Sequence, residues 1–230
     1  FTSFRMEPMR AGPSDPYSDE YREHQLALYK RIAGKDYSSS NEVTKFPVML
    51  MADRPFPFTT QSCHTVGTHL MGIGFLIKVM ALQPNAKILE FGPGWGNTTE
   101  YLARMGFDVT AVDIADDYVR LIRERAKRLN LSINAICADF NYIETIDEKF
   151  DAIVFFECFH HASDHLRLLR GLKHVVKDNG IVVFGAEPIL DSFPLPWGLR
   201  LDGESLWAIR KHGWLELGFQ EKYFTKTLQQ

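Results

Sequence analysis

Three glycines follow a short apolar run in the segment EFGPGWGN, residues 90–97. Glycines at a strand-to-helix turn let backbone N–H groups approach a ligand. Their spacing is GxGxG, whereas a dinucleotide fingerprint needs a third glycine where this chain has Asn97, so pyrophosphate binding is disfavoured. Glu90, two residues before Gly92, adds a carboxylate that repels phosphate and attracts an ammonium group.

Acidic residues also follow the next two apolar runs. Asp113 lies about twenty residues after Gly92, where a carboxylate can accept hydrogen bonds from a ribose diol. Asp139 offers an acceptor for an adenine amine, and Phe140 offers an apolar surface for its ring. This order of groups along the chain predicts one nucleoside-bearing ligand.

The segments EFGPGWG, AVDI and ADF resemble the glycine, ribose and adenine motifs of the class I S-adenosylmethionine-dependent methyltransferases, over roughly residues 87–218. The resemblance implies S-adenosyl-L-methionine as cofactor. It implies that Glu90 orients the cofactor's amino group, that Gly92 and Gly94 face its methionine end, and that Asp113 and Asp139 hold ribose and adenine. The predicted cofactor-binding residues are Glu90, Gly92, Gly94, Gly96, Asp113, Ile114, Asp139 and Phe140.

The reaction centre is expected after the fourth apolar run, in the segment FFECFHHASDH. It lacks the D/N-P-P-Y-like loop with which members of this superfamily hold exocyclic amines and amides, so an oxygen acceptor is favoured. The stretch resembles the E-x-x-HH segment of small-molecule methyltransferases of the ubiquinone-biosynthesis type. Because histidine titrates near neutral pH, either His160 or His161 could act as base, with Glu157 beside them; packing of the loop is the alternative role of the pair.

Two further features bear on the acceptor. Glu187, after the fifth apolar run, could join Glu157 and the two histidines around a divalent cation, but no compact ligand spacing supports this, and we predict no metal site. The Trp-, Arg- and Asp-rich residues 191–219 suit a saccharide or a planar acid, and His64 and His69 are candidates for acceptor contact. The predicted partner is a small-molecule or glycan-linked acceptor.

Short apolar runs alternate with amphipathic stretches from Lys87 onward, which predicts an α/β fold: a doubly wound, mostly parallel Rossmann-like sheet with helices on both faces. A capping box of Asn97 and Glu100 is predicted to start the first helix of this region. A helical N-terminal arm and lid is expected over residues 1–80, and the cofactor-binding domain over 81–230. A sixth strand is predicted at 219–230.

The composition and net charge exclude some classes of binding partner. The 230 residues carry a net charge of -3, so attraction to phosphate backbones or anionic lipid is not built into the whole molecule, and the basic residues between Arg120 and Arg128 are expected to form a solvated helix face. We predict no nucleic-acid partner and no membrane span. Three scattered cysteines suggest a reduced, cytoplasmic protein.

The alternative functions are a noncatalytic S-adenosylmethionine-binding module and a nucleotide-dependent Rossmann oxidoreductase. The sequence leaves the oligomeric state open.

Overall fold

The computed structural model describes residues 15, 17–33 and 35–187. The predicted sixth strand and the Trp-rich stretch at 191–219 lie outside the described residues. The helices and strands, in chain order, are α1 (Asp19–Ala33), α2 (Val48–Met51), α3 (Cys63–Met80), β1 (Lys87–Phe91), α4 (Asn97–Arg104), β2 (Asp108–Asp113), α5 (Asp116–Leu129), β3 (Ile133–Cys137), β4 (Phe150–Phe156), α6 (His165–Val175) and β5 (Val176–Gly185). Short 3₁₀ helices span Ser39–Asn41, Phe58–Thr60, Phe140–Thr145 and Phe159–His161.

The five strands form one parallel sheet in the order β3-β2-β1-β4-β5. This order confirms the predicted doubly wound α/β fold. After β3 the chain crosses back to the other side of β1, so the direction of winding reverses between β1 and β4. In sheets of this kind, ligands bind beyond the carboxyl ends of the strands at that reversal. A ligand is therefore expected at the loops that follow β1 and β4.

One face of the sheet is covered by helices α3, α4 and α5. Leu76 and Met80 of α3 and Leu102 of α4 pack with buried residues of β1, β2 and β4. Val119 and Ile122 of α5 pack with β3 in a second cluster. These helices present apolar side chains at helical spacing, so they bury one stripe against the strands.

The opposite face carries a layer of phenylalanines. The Phe155 ring stacks on Phe91 and on Phe184, each at a centroid distance of 5.3 Å, and Phe140 and Phe159 extend the layer. Helix α6 lies on this side, since a Cβ on its Gly171 would be 2.8 Å from Ile143, in the 3₁₀ helix that contributes Phe140. Helices on both faces are thus confirmed.

The described residues fall into two compact units. One comprises the described residues up to Glu42 together with 160–166, and the other comprises 43–159 and 167–187. In the first unit, the Tyr21 side chain of α1 is buried and Arg22 pairs with Asp164 at 3.6 Å. The second unit holds the whole sheet with α2 and α3. The domain boundary between residues 80 and 81, and the role of residues 1–80 as a lid, stay predictions.

Two local predictions are wrong. The capping box is absent because Gly96, in the left-handed region at φ +71°, is the residue before the helix, and Asn97 is already inside it. A capping box needs an extended N-cap residue whose own side chain accepts from the backbone. The second concerns the stretch 163–180, where the helical spacing of Leu166, Leu169, Leu172 and Val176 predicts one helix up to Gly180. In the structure α6 ends at Val175, because Val176 already pairs with Phe150 of β4.

Among the described residues, no helix combines the length and the apolar character needed to cross a bilayer.

Candidate functional site

The three glycines after β1 all adopt left-handed backbone conformations, with φ of +58°, +51° and +71° at Gly92, Gly94 and Gly96. They differ in their surroundings. A Cβ on Gly92 would lie 2.5 Å from Cys158 Cβ, and one on Gly96 would lie 2.6 Å from Ile122 Cγ1. A Cβ on Gly94 would meet nothing within 4 Å. Close packing therefore requires Gly92 and Gly96, whereas Gly94 borders open space at the carboxyl edge of the sheet.

Asp113 ends β2 and is only 5% exposed. Its Oδ2 accepts a hydrogen bond from Gly94 N at 3.0 Å, and its Oδ1 accepts from Ala115 N at 2.9 Å. The carboxylate thus holds the glycine loop in place. Asp113 therefore lies at the end of β2, beside the glycine loop, which is the position that the resemblance gives to the ribose-binding acid.

Glu90 of β1 is 1% exposed and lies directly before the glycine loop. Its Oε2 accepts a hydrogen bond from Thr99 Oγ1 at 2.6 Å, while its Oε1 is buried with no hydrogen-bond partner among the described residues. The pKa of Glu90 is raised to about 7, mainly by burial; the Thr99 hydrogen bond lowers it, and the nearby Asp113 charge raises it. A buried carboxylate oxygen without a donor suits the ammonium group of a methionine moiety.

The predicted adenine residues follow β3. Asp139 caps the 3₁₀ helix that follows it: its Oδ1 accepts from Asn141 N at 2.9 Å and its Oδ2 from Asn141 Nδ2 at 3.0 Å. Phe140 is half-buried, with its ring 5.7 Å from Phe91. Ile114, also half-buried, follows Asp113 directly. All eight predicted cofactor residues thus belong to the carboxyl ends of β1, β2 and β3 or to the residues that follow them.

The loop after β4 is held in place by residues that are distant in sequence. Glu157 is exposed, has a left-handed φ of +54°, and donates its backbone N–H to Gly185 O at 2.9 Å. Glu187 Oε1 accepts hydrogen bonds from Cys158 N at 2.8 Å and Phe159 N at 2.6 Å. Glu187 therefore fixes the path of this loop, a role that its sequence position did not suggest. In the described part of the chain, no three His, Cys, Asp or Glu side chains are grouped as metal ligands.

His160 and His161 belong to the first compact unit. Their rings lie 4.4 Å apart, and His161 Nδ1 is 3.0 Å from Glu42 Oε2. A carboxylate on Nδ1 favours the tautomer with the proton on that nitrogen. Glu42 could not be predicted from the sequence, because 119 residues separate it from His161.

Arg125 and Asn97 form a second contact that was not predicted from the sequence. Arg125 is only 8% exposed, which corrects the prediction of a wholly solvated basic face. Its guanidinium pairs with Glu100 and donates to Trp95 O and to Asn97 Oδ1, the last at 3.2 Å. A signal was available: Arg125 falls in the same helical phase as the buried Ile122.

Residues 89–184 match a family described as "Methyltransferase domain". The chain is 29% identical over 97 residues to a ubiquinone biosynthesis O-methyltransferase of Coxiella burnetii, covering 42% of each chain. It is 33% identical over 130 residues to an S-adenosyl-L-methionine-dependent Diels-Alderase of Talaromyces variabilis, covering 55% of this chain and 42% of that relative. This chain spans less than half the length of these curated relatives.

Among solved structures, a coclaurine N-methyltransferase bound to N-methylheliamine and SAH is similar in fold. The TM-score is 0.51 at 20% identity, over 74% of this chain and 52% of that one. The sheet order, the glycine loop and the family match define an S-adenosylmethionine-dependent methyltransferase domain. Residues 89–184 thus carry a methyltransferase domain, and the family match together with these relatives supports the class I S-adenosylmethionine-dependent methyltransferase superfamily that the motifs predicted. The cofactor of that superfamily is S-adenosyl-L-methionine.

Proposed function

We propose that this protein binds S-adenosylmethionine and transfers its methyl group to an oxygen atom of a small-molecule acceptor. The observation that carries the proposal is the glycine loop of β1. There, the backbone at Gly94 borders open space, while the buried Oε1 of Glu90 lacks a donor among the described residues. An ammonium group at this point would supply the missing donor.

Each side chain has a distinct task in this proposal. Glu90 holds the methionine amino group, Asp113 the ribose diol, and Asp139 with Phe140 the adenine. When bound, S-adenosylmethionine supplies an electrophilic methyl group. The chain then has two tasks, which are to align the acceptor and to receive its proton.

His161 is our preferred proton acceptor, with His160 as the alternative. Its Glu42 partner favours a proton on Nδ1, and in a neutral imidazole the other nitrogen then carries the basic lone pair. We expect the Gln variant of the residue that takes the proton to lose roughly 10²–10⁴-fold in turnover. Its cofactor affinity should be nearly unchanged. Near-normal turnover and an unaltered pH profile in both single variants would return the pair to a packing role.

Oxygen is favoured over nitrogen because the loop after β4 lacks the amide- and amine-binding motif. The O-methyltransferase name of the Coxiella burnetii relative supports the same choice. The ubiquinone biosynthesis name of the same relative supports a small molecule over a glycan as the acceptor.

Cofactor binding is tested by calorimetric titration with S-adenosylmethionine. We expect Gly94→Val to abolish binding while circular dichroism still reports a folded sheet, because a branched side chain would occupy the ligand's approach to the backbone. Unchanged affinity in a folded Gly94→Val variant would contradict the proposed cofactor site at the glycine loop.

We expect Asp113→Ala to weaken S-adenosylmethionine binding by roughly 1–3 kcal/mol in the same titration, because a charge-assisted contact is lost.

Methyl transfer is tested by mass spectrometry of pooled phenols, carboxylic acids and sugars incubated with protein and cofactor. The expected product is heavier than its acceptor by one methylene unit, and S-adenosylhomocysteine in place of the cofactor is the control. A product of unchanged mass that still requires the cofactor would favour a Diels-Alderase, the activity named for the Talaromyces variabilis relative.

A further inference from the structure

A buried chain of polar side chains runs from α5 to α3, within the unit that holds the sheet. Arg125 pairs with Glu100, and its NH1 donates to Asn97 Oδ1 at 3.2 Å. Asn97 is 4% exposed, and its Nδ2 donates to Phe56 O at 2.7 Å. The same Nδ2 lies 3.3 Å from Nε2 of His69. The network thus ends on a histidine ring that borders the cofactor loop.

These partners fix the orientation of the Asn97 amide. A flipped amide would set its oxygen against the Phe56 carbonyl and its NH₂ group against the Arg125 guanidinium, so two acceptors and two donors would face each other. An amide NH₂ group donates and does not accept. Nε2 of His69 must therefore accept the hydrogen bond from Asn97, and the proton of the neutral ring must lie on Nδ1.

The surroundings keep this ring neutral and leave its Nδ1 for a ligand. Burial lowers the pKa of His69, and the carboxylate of Glu157 opposes this by a smaller amount. The rings of Phe56 and Phe156 lie edge-on to the imidazole at 5.9 and 6.0 Å. In the described part of the chain, Nδ1 has no hydrogen-bond partner. The result is a neutral imidazole with one N–H donor, flanked by two aromatic rings and close to the carboxylate of Glu157.

We propose that His69 is an acceptor-binding residue, whose Nδ1–H donates to a neutral carbonyl oxygen of a planar, apolar acceptor. The inference rests on the proposed methyl transfer, and it names the substrate class of that site. Phe56 and Phe156 suit a planar molecule, and Glu157 disfavours a carboxylate or a phosphate at the same point. His69 does not serve as the base in this inference, because its Nδ1 carries the proton and the lone pair of its Nε2 is used by Asn97.

The tautomer can be measured without any substrate. In protein labelled with ¹⁵N-histidine, long-range ¹H–¹⁵N correlation spectra distinguish a protonated from an unprotonated ring nitrogen. The chain has eight histidines, so the signal lost in His69→Gln identifies the ring. We expect the proton on Nδ1 at neutral pH. A proton on Nε2 would overturn the inference.

Ligand choice is tested by calorimetric titration of S-adenosylhomocysteine-loaded protein with two phenols of similar shape, 4-hydroxyacetophenone and 4-ethylphenol. We expect the wild type to bind the ketone about tenfold more tightly, a ratio typical of one buried hydrogen bond. His69→Gln keeps an acceptor for Asn97 at the Nε2 position but has no donor at the Nδ1 position, so the ratio should fall to about one.

His69→Asn is the matched control, because its amide N–H lies near the position of Nδ1 and should restore part of the preference. Binding both phenols equally, or neither, in the wild type overturns the inference, and so does a ketone preference that persists in His69→Gln. Since this readout is binding, a clear ketone preference without any methylated product would contradict the proposed function and leave the role of His69 standing.

Discussion

The loops after β1 and β4 flank the same point of the sheet, yet they reach their shapes by opposite means. The β1 loop bends through glycines in left-handed conformations. The β4 loop also bends through a left-handed residue, but that residue is Glu157, and the carboxylate of Glu187 holds the next two backbone N–H groups. The first loop depends on missing side chains, and the second depends on one that is present.

The two loops also fit into each other. Cys158 of the β4 loop fills the space that a side chain on Gly92 would need, and its Sγ donates to Phe91 O at 2.9 Å. A change in one loop therefore reaches the other through Cys158. A glycine motif therefore contains both packing positions and ligand positions, and only the elements packed against it, the β4 loop at Gly92 and α5 at Gly96, distinguish the two.

The largest expected effect is that of Gly92→Ala. The new Cβ would lie 2.5 Å from Cys158 Cβ in a left-handed conformation, so we expect the free energy of unfolding to fall by about 2–5 kcal/mol. Gly94→Ala is the control, with a loss of about 1–2 kcal/mol, because only the backbone conformation is strained. Urea unfolding measures both.

Adding Cys158→Gly to Gly92→Ala should restore part of the stability. The loss in the free energy of unfolding of the double variant should therefore be smaller than the sum of the losses in the two single variants. Equal losses in Gly92→Ala and Gly94→Ala would erase the distinction between packing and ligand glycines.

The buried carboxyl group of Glu90, directly before the glycine loop, makes the stability of the protein depend on pH. The pKa of Glu90 is raised from 4.5 to about 7 in the folded protein, so between these values the folded state binds more protons than the unfolded state. The free energy of unfolding should therefore fall as pH rises through this window, by on the order of 1 kcal/mol per pH unit. Thermal or urea unfolding of the ligand-free protein from pH 4.5 to 7.5 measures this slope.

Glu90→Gln should flatten that slope, since an amide does not titrate. Saturating S-adenosylhomocysteine should flatten it in the wild type as well, because its ammonium group favours the ionised carboxylate. If the slope persists unchanged in Glu90→Gln, a group other than Glu90 causes the pH dependence of the free energy of unfolding.

The smallest effect is expected at the β4 loop. Glu187→Ala removes the acceptor of the Cys158 and Phe159 amides, and we expect a loss of about 1–3 kcal/mol in local stability. Hydrogen exchange at these two amides should accelerate by roughly 10–100-fold. Glu187→Gln keeps an acceptor oxygen and should exchange more slowly than Glu187→Ala. Unaltered exchange in the alanine variant would mean that the loop does not depend on this carboxylate.

Much of the site could be predicted because its signals are local. The glycines, Glu90, Asp113 and Asp139 each follow or end an apolar run, and parallel strands bring such positions to one edge. The capping box failed for a local reason as well: the left-handed Gly96 moved the helix start by one residue, which left the Asn97 side chain for distant partners.

The sequence by itself determined the order of strands and helices, the turn chemistry of the β1 loop and the acids at the strand ends, because these depend on residue type and short-range periodicity. Only the tertiary structure decided which glycine faces open space, which carboxylate holds the β4 loop and which side chain lies against Nε2 of His69. Each of those depends on distances between residues far apart in the chain. Asn97 and His69 are 28 residues apart, and Cys158 and Glu187 are 29 apart. No local pattern encodes the contact that gives these residues their roles.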